Sequence, residues 1–172
     1  MMILRGRAYK IERDNINTDE IIPARYLNVS EPEILGKHCM EGLDSDFPKK
    51  VKKGDILVVG KNFGCGSSRE HAVVAIKSCG IGAVIGESFA RIFFRNAINT
   101  GLPLVVSEGW SKEISTGDIL EINFERGIVK NLSKKKKYNI TPFPKFIQEI
   151  IKSNGLMRYL KNVKRAKDIA AR

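Results

Sequence analysis

Hydrophobic positions along the chain group into short continuous runs, the mark of buried strands, and into stretches at helical spacing. Residues 2–11 have the apolar, β-branched character of a first strand. Asp14-Asn15-Ile16-Asn17-Thr18-Asp19 consists mostly of turn formers and reads as a polar loop, and Pro23 ends the short Glu20-Ile21-Ile22 segment that follows. Ser30-Glu31-Pro32-Glu33 predicts the start of a helix running to about Met40, with Ser30 as cap, Glu33 completing a capping box, and proline in the first turn. Residues 55–60 form a nearly all-apolar strand bounded by glycines, the pattern of a strand covered on both faces. It feeds into Asn62-Phe63-Gly64-Cys65-Gly66-Ser67-Ser68-Arg69-Glu70-His71, and a helix then runs to about Cys79 with Ala72, Ala75, Ile76 and Cys79 on one stripe.

A second buried strand follows at residues 82–86, completing a strand, glycine loop, helix, strand unit whose crossover is right-handed. Residues 89–98 predict another helix, ended near Gly101, and residues 102–106 another strand. Beyond them, residues 118–124 and 128–132, joined through Glu125-Arg126-Gly127, look like an antiparallel hairpin. Lys134 to Lys137 are placed at the turn to a third strand at residues 138–141, and a helical stretch over residues 146–160 breaks at Asn154-Gly155. The expected architecture is an α/β domain, 1–172 as one unit, with parallel central strands, a β-rich rim and a basic helical tail over about residues 143–172.

Charge sharpens that division. Residues 1–129 hold 17 basic and 17 acidic side chains, whereas residues 130–172 hold 13 basic and 2 acidic, so the whole net charge of +11 resides in the C-terminal end. That end could meet RNA or DNA phosphates, but it has no interleaved aromatics and follows no nucleic-acid motif; a solvated hairpin tip and helix face is the plainer reading. No apolar run is long enough to span a membrane and no secretory signal is readable, so a soluble, cytoplasmic protein is expected. Three cysteines, Cys39, Cys65 and Cys79, include no C-x-x-C pair, which argues against both a disulfide framework and a metal site held by this chain alone.

Candidate chemistry concentrates in Gly64-Cys65-Gly66-Ser67-Ser68-Arg69. A strand that passes through glycines into a helix leaves backbone N–H groups aimed at one spot, which favours an anion. The stretch lacks the Walker pattern, the dinucleotide G-x-G-x-x-G spacing and the G-x-S-x-G nucleophile elbow. Ser67 with Glu70 three residues later also satisfies the capping-box pattern, so a helix cap and an anion site are both open readings of the same N–H groups. Arg69 tilts the balance towards a carboxylate or phosphate, because a guanidinium in the first turn opposes the helix dipole.

Gly64-Cys65-Gly66-Ser67-Ser68-Arg69-Glu70-His71, together with Asn17-Thr18-Asp19-Glu20-Ile21-Ile22-Pro23-Ala24-Arg25-Tyr26-Leu27 before it and Ser88-Phe89-Ala90-Arg91-Ile92 after it, closely resembles the small subunits of 3-isopropylmalate dehydratase (isopropylmalate isomerase). The resemblance extends to about Tyr159 and implies a layered β/β/α swivelling domain like the fourth domain of aconitase. It implies a hydro-lyase of leucine biosynthesis, active only with a large subunit in a heterodimer or heterotetramer. The [4Fe-4S] cluster belongs to that large subunit, with no cofactor and no metal bound by this chain.

Carried over residue by residue, Ser67 matches the catalytic base of aconitase-type sites, and Ser68 and Arg69 match groups that hold a substrate carboxylate. Thr18 and Asp19 match a motif that orients the active-site loop, an ordinary Asx turn being the alternative for Asp19. In aconitase-like and homoaconitase-like relatives an arginine follows the segment matching Tyr26-Leu27 and pairs with a distal carboxylate. Here Leu27 is followed by Asn28 and Val29, which suit an isopropyl group, although Arg25 stands nearby. Isopropylmalate is the expected small hydroxy-acid substrate. Homoaconitase, citraconate hydratase or dimethylmalate hydratase chemistry is the alternative, and a basic RNA-binding or assembly module is the alternative from another class. Arg91 and Arg95, one helical turn apart, face the substrate, a partner or, as paired helix arginines more often do, solvent, and His38 and His71 have no acid at motif spacing and read as structural or exposed.

Overall fold

The computed structural model describes residues 2–170. In chain order it contains β1 (Ile3–Lys10), α1 (Thr18–Ile21), α2 (Pro32–Lys37), α3 (Phe47–Lys50), β2 (Ile56–Val59), α4 (Glu70–Ser78), β3 (Ala83–Gly86), α5 (Arg91–Thr100) and β4 (Leu104–Val106). Then come β5 (Ile119–Asn123), β6 (Ile128–Asn131), β7 (Lys136–Asn139), α6 (Lys145–Lys152) and α7 (Leu156–Ala170). The seven strands form one sheet in the order β4-β3-β2-β1-β5-β6-β7. Strands β1 to β4 run parallel, with Ala8 opposite Ile56, Ile56 opposite Ala83, and Val84 opposite Leu104. From β1 onward the pairing turns antiparallel through β5, β6 and β7.

The period of two along β2 builds two cores from one strand. Leu57 and Val59 face a helical layer in which Ala72, Ala75 and Ile76 of α4 and Phe93 and Ala97 of α5 are buried. Ile56 and Val58 point the other way, into a cluster with Leu120 and Ile122 of β5 and Val129 of β6. The antiparallel half of the sheet therefore curls over the parallel half. This is a β/β/α layering, and it explains why residues 55–60 lack any polar alternation. Each fully buried aliphatic side chain on these faces contributes about 1.5–3 kcal/mol by leaving water.

The short crossover helices and their stops follow local chemistry, with some differences from the sequence reading. Residues 14–19 are not loop throughout: Asn17 caps α1, its side chain accepting from the Glu20 amide while the Glu20 carboxylate accepts from the Asn17 amide. The capping box expected at Ser30 and Glu33 does not form; Glu31 occupies the cap position of α2 without a side-chain cap bond, and the helix ends at Lys37, before Met40 turns the chain at φ 61°. The helix expected from Phe89 starts at Arg91, and Gly101 closes it in the left-handed conformation, as its position implies. The break at Asn154-Gly155 separates α6 from α7, both residues having positive φ.

The basic rim is partly neutralised within the chain. Residues 132–135 make the turn, whereas Lys136 and Lys137 lie inside β7 rather than at its approach. Lys134 pairs with Asp118, itself buried and hydrogen-bonded by Asn131, and Lys136 pairs with Glu113. Lys152 meets Glu125. The hairpin tip thus spends part of its charge on its own acids rather than offering a continuous track for phosphates. Among the described residues no helix is long and apolar enough to cross a membrane.

Phe93 is the aromatic hub beneath the glycine loop, stacking edge-on to Phe63 at 5.2 Å and lying parallel to Phe89 at 6.3 Å. Phe93→Ala is expected to lower stability by about 3–5 kcal/mol. The check is a chemical-denaturation midpoint that falls while the slope stays unchanged; a shift under 1 kcal/mol would show that the hub is dispensable.

Candidate active site

Three segments distant in sequence are brought together at the carboxyl ends of the parallel strands. The amide of Gly64 donates to the Ile16 carbonyl at 2.8 Å, and the amide of Thr18 donates to the Cys65 carbonyl at 2.8 Å. The Thr18 hydroxyl continues this short parallel ladder by donating to the Ser67 carbonyl at 3.1 Å. On the opposite side the Phe63 amide donates to the Ser88 carbonyl, and the Ala90 amide returns a bond to the Phe63 carbonyl. Gly64 sits at φ 76°, and a Cβ there would fall 2.2 Å from the Phe93 ring, so only glycine lets the loop lie this close to the hub.

The loop does not cap its helix with a serine. Helix α4 begins at Glu70 with Arg69 in the cap position and no side-chain cap bond, so the pairing of Ser67 with Glu70 expected as a capping box is absent. Ser67 and Ser68 are exposed. Among the described residues, the backbone N–H groups of Gly66, Ser67, Ser68 and Arg69 have no protein acceptor. Four free donors on an exposed loop that also carries two hydroxyls leave this stretch open to an anion.

Arg69 turns back from the helix to Asp19. Its Nη1 pairs with Oδ1, and its Nη2 donates to Oδ2 at 3.1 Å. Nη1 also reaches the Ile22 carbonyl at 3.4 Å. The hydrogen bond from Arg69 holds the Asp19 carboxyl below the usual carboxylate range, against a smaller opposing effect of burial. A guanidinium has two forked edges. Asp19 occupies the Nη1/Nη2 edge, so the Nε/Nη2 edge stays available for a second carboxylate. Asp19 thus lies in α1 with its carboxylate on Arg69, rather than in a simple Asx turn.

The loop carrying Leu27, Asn28 and Val29 lies beside the same helix end. Leu27 and Asn28 are exposed, whereas Val29 packs against the core and shares a shallow cleft with Glu70, His71 and Val74 at the start of α4. Arg25 is engaged elsewhere: its guanidinium pairs with Glu41, which also accepts from the Tyr26 hydroxyl at 2.8 Å and meets His38 Nδ1 at 2.6 Å. Burial raises the Glu41 carboxyl, but the bonds from Tyr26 and His38 and the charge of Arg25 outweigh it and leave the group below its ordinary range. His38 stacks on Tyr26 at 4.3 Å and meets Glu41 three residues on, an acid partner that the sequence reading did not assign to it.

A profile of the aconitase C-terminal domain matches residues 1–109. The chain is 58% identical over 160 residues, 93% of its own length and 92% of the relative's, to the 3-isopropylmalate dehydratase small subunit of Caldicellulosiruptor saccharolyticus. It belongs to the family of 3-isopropylmalate dehydratase small subunits. A same-named relative from Thermodesulfovibrio yellowstonii is 54% identical over 168 residues, covering 98% of this chain and 99% of that one. The crystal structure of 3-isopropylmalate dehydratase from Methanocaldococcus jannaschii matches with a TM-score of 0.90 at 48% identity, over 98% of this chain and 99% of that chain. Membership of this small-subunit family agrees with the mixed α/β architecture and the curled seven-stranded sheet.

The family implies an iron-sulfur cluster, and the cysteines of this small subunit do not fit one. Cys39 and Cys79 lie against each other, Cys39 buried and its thiol raised by that burial, Cys79 lowered by the hydrogen bond from Cys39. Cys65 stands apart, its thiol directed to the Asn15 carbonyl at 3.5 Å. Among the described residues no group of three or more metal-ligating side chains comes together.

Two features escaped the sequence reading: the helix α1 that positions Asp19, and the ladder that ties Thr18 to the serine loop. The first had a signal in Asn17 followed by Glu20 three residues later; the second, a pairing across about 50 residues, had none. The Asp19–Arg69 pair makes a pH prediction. A carboxyl held low in the folded state stabilises above its unfolded pKa and loses that contribution as pH falls through its folded value. Melting temperature should therefore decline on acidification below about pH 4, and Asp19→Asn should show a shallower decline than the unaltered protein, by a small amount because Asp19 is mostly exposed. Identical pH profiles for the two would show that the pair contributes nothing to the fold.

Proposed function

We propose that this chain supplies one half of the active site of a hydro-lyase that interconverts 2-isopropylmalate and 3-isopropylmalate by dehydration and rehydration in leucine biosynthesis, in the cytoplasm. The other half is a large subunit bearing a [4Fe-4S] cluster, which supplies the Lewis acid for the departing hydroxyl. The observation that carries the reading is the exposed Ser67 on a loop whose four consecutive backbone N–H groups have no protein acceptor among the described residues, next to an arginine paired with Asp19.

In this reading Ser67 Oγ acts as the base. A serine hydroxyl is a very weak acid, so its alkoxide needs donors and positive charge already in place before it can exist. The N–H groups of the loop provide the donors, and Arg69 provides the charge. The alkoxide takes the proton from the carbon next to a carboxylate, the electron pair forms the carbon–carbon double bond, and hydroxide leaves from the adjacent carbon. Rehydration adds hydroxide to the carbon that lost the proton and returns the proton from Ser67 to the carbon that lost the hydroxide. Ser68 and the free edge of Arg69 hold the substrate carboxylate, and Thr18 fixes the loop through the Ser67 carbonyl. Leu27, Asn28 and Val29 face the substrate's variable group, and Arg25 nearby is paired with Glu41.

Ser67→Ala is expected to lower kcat of the assembled enzyme by at least about a hundredfold while leaving the affinity between subunits unchanged. Near-normal turnover would remove Ser67 as the base. Asn28→Arg is expected to shift the ratio of kcat/KM values by about tenfold or more towards hydroxy acids with a distal carboxylate. An unchanged ratio would place substrate selection outside residues 27–29.

A further inference from the structure

The first turns of α5 present a surface that the reaction does not use. Arg91 and Arg95 are exposed one helical turn apart, and among the described residues neither has an acidic partner; Arg5, Arg126, Arg158 and Arg165 are exposed and unpaired as well, but only Arg91 and Arg95 line a common cleft. The two guanidiniums flank a cleft of about 370 Å³ that also contains Phe89, Phe94 and Val106 and no acidic side chain. Ile92 is 47% exposed and Val106 is 43% exposed, large values for branched apolar side chains. Through Phe94 and Val106 the cleft runs on into an apolar cavity of about 760 Å³ along the edge strand β4. Helix α5 carries Arg91 in its first turn and no acidic residue there, an arrangement that opposes the helix dipole and that an external anion would offset.

This surface is continuous with the site. Ser88 and Ala90, immediately before α5, are hydrogen-bonded to Asn62 and Phe63, the residues that lead into the serine loop, and Phe93 of α5 underlies Gly64. A partner that covers exposed Ser67 and Ser68 must come down next to these arginines. We infer that the α5 face formed by Arg91, Ile92, Arg95 and Val106 is a docking surface for the large subunit, which meets it with carboxylates against the two guanidiniums and an apolar side chain in the cleft between them. The inference rests on the small-subunit reading and adds to it the surface by which the halves are held together, separate from the groups that touch substrate.

The test measures binding of the purified large subunit, with its cluster intact, to this chain and to two charge-matched variants. Arg91→Glu/Arg95→Glu reverses the α5 face at two exposed positions, and the glutamate at 91, in the first turn, favours the dipole; an unchanged circular dichroism spectrum and melting temperature check that the fold is kept. Lys161→Glu/Lys164→Glu changes net charge equally on the exposed face of α7. The expected result is a Kd raised at least about tenfold for the α5 variant, with a weaker salt dependence than the unaltered chain, and little change for the α7 variant. At saturating large subunit, kcat and KM of the α5 variant should equal those of the unaltered enzyme. Equal weakening by both variants would reduce the effect to net charge and overturn the assignment. An unchanged Kd with a raised KM would make the arginines substrate ligands and overturn it equally. If the unaltered chain itself does not bind the large subunit, the small-subunit reading falls, and this inference with it.

Discussion

Everything at the candidate site depends on one short parallel ladder, in which Gly64 and Thr18 bridge to Ile16 and Cys65 and the Thr18 hydroxyl reaches the Ser67 carbonyl. These bonds join two loops about 50 residues apart, and they use backbone groups that would otherwise lie unsatisfied at the ends of β1 and β2. The ladder ties the start of α1 to the serine loop, and Asp19 of α1 faces Arg69. Without it, the orienting carboxylate and the guanidinium would belong to separate mobile loops, and holding them together would cost the entropy of ordering both.

The ladder also explains which polar groups remain free. Donors consumed by secondary structure cannot serve a ligand, so a loop that stabilises itself fully is chemically inert. Here the stabilising bonds fall on Gly64, Thr18 and Ala72, on either side of residues 66–69, and the intervening amides stay open. Arg69 repeats the logic at the side-chain level, with its Nη1/Nη2 edge given to Asp19 and no protein acceptor on Nε among the described residues. The aromatic hub of Phe63, Phe89 and Phe93 supplies the rigid floor that makes such an open loop tolerable.

The legibility of these features in the sequence follows their range. Strands β2 and β3 were readable because both faces are buried, which erases polar alternation and leaves an apolar run between glycines. Gly101 and Asn154-Gly155 marked helix ends by a purely local requirement for positive φ. Capping was less readable: Ser30 and Ser67 both carried the pattern and neither caps, while Asn17 carried it inside a stretch of turn formers and does. The motif states only that a bond is possible; whether it forms is decided by tertiary contacts such as the pull of Asp19 on Arg69. Nor could spacing alone show that Arg25 would be occupied by Glu41, since that pairing depends on how α2 returns the chain past Tyr26 and His38. The curl of the sheet was foreseeable from family resemblance and from the hairpin pattern, but its register was not.

An exposed serine with a ring of amides is not yet a base. In water those amides and the Arg69 guanidinium are solvated, and their field at Ser67 Oγ is screened to a small fraction of its value in a dry site. The same groups become strong stabilisers of an alkoxide only when a second surface displaces the water, and the chain has no lid of its own over Ser67 and Ser68 among the described residues. Catalytic competence is thus a property of closure and not of the loop alone. This constraint accounts for a domain whose core is ordinary and well packed yet whose chemical face is left open. In the proposed reading, the decisive energetics lie where a second surface dries the serine loop, and not within the loop itself.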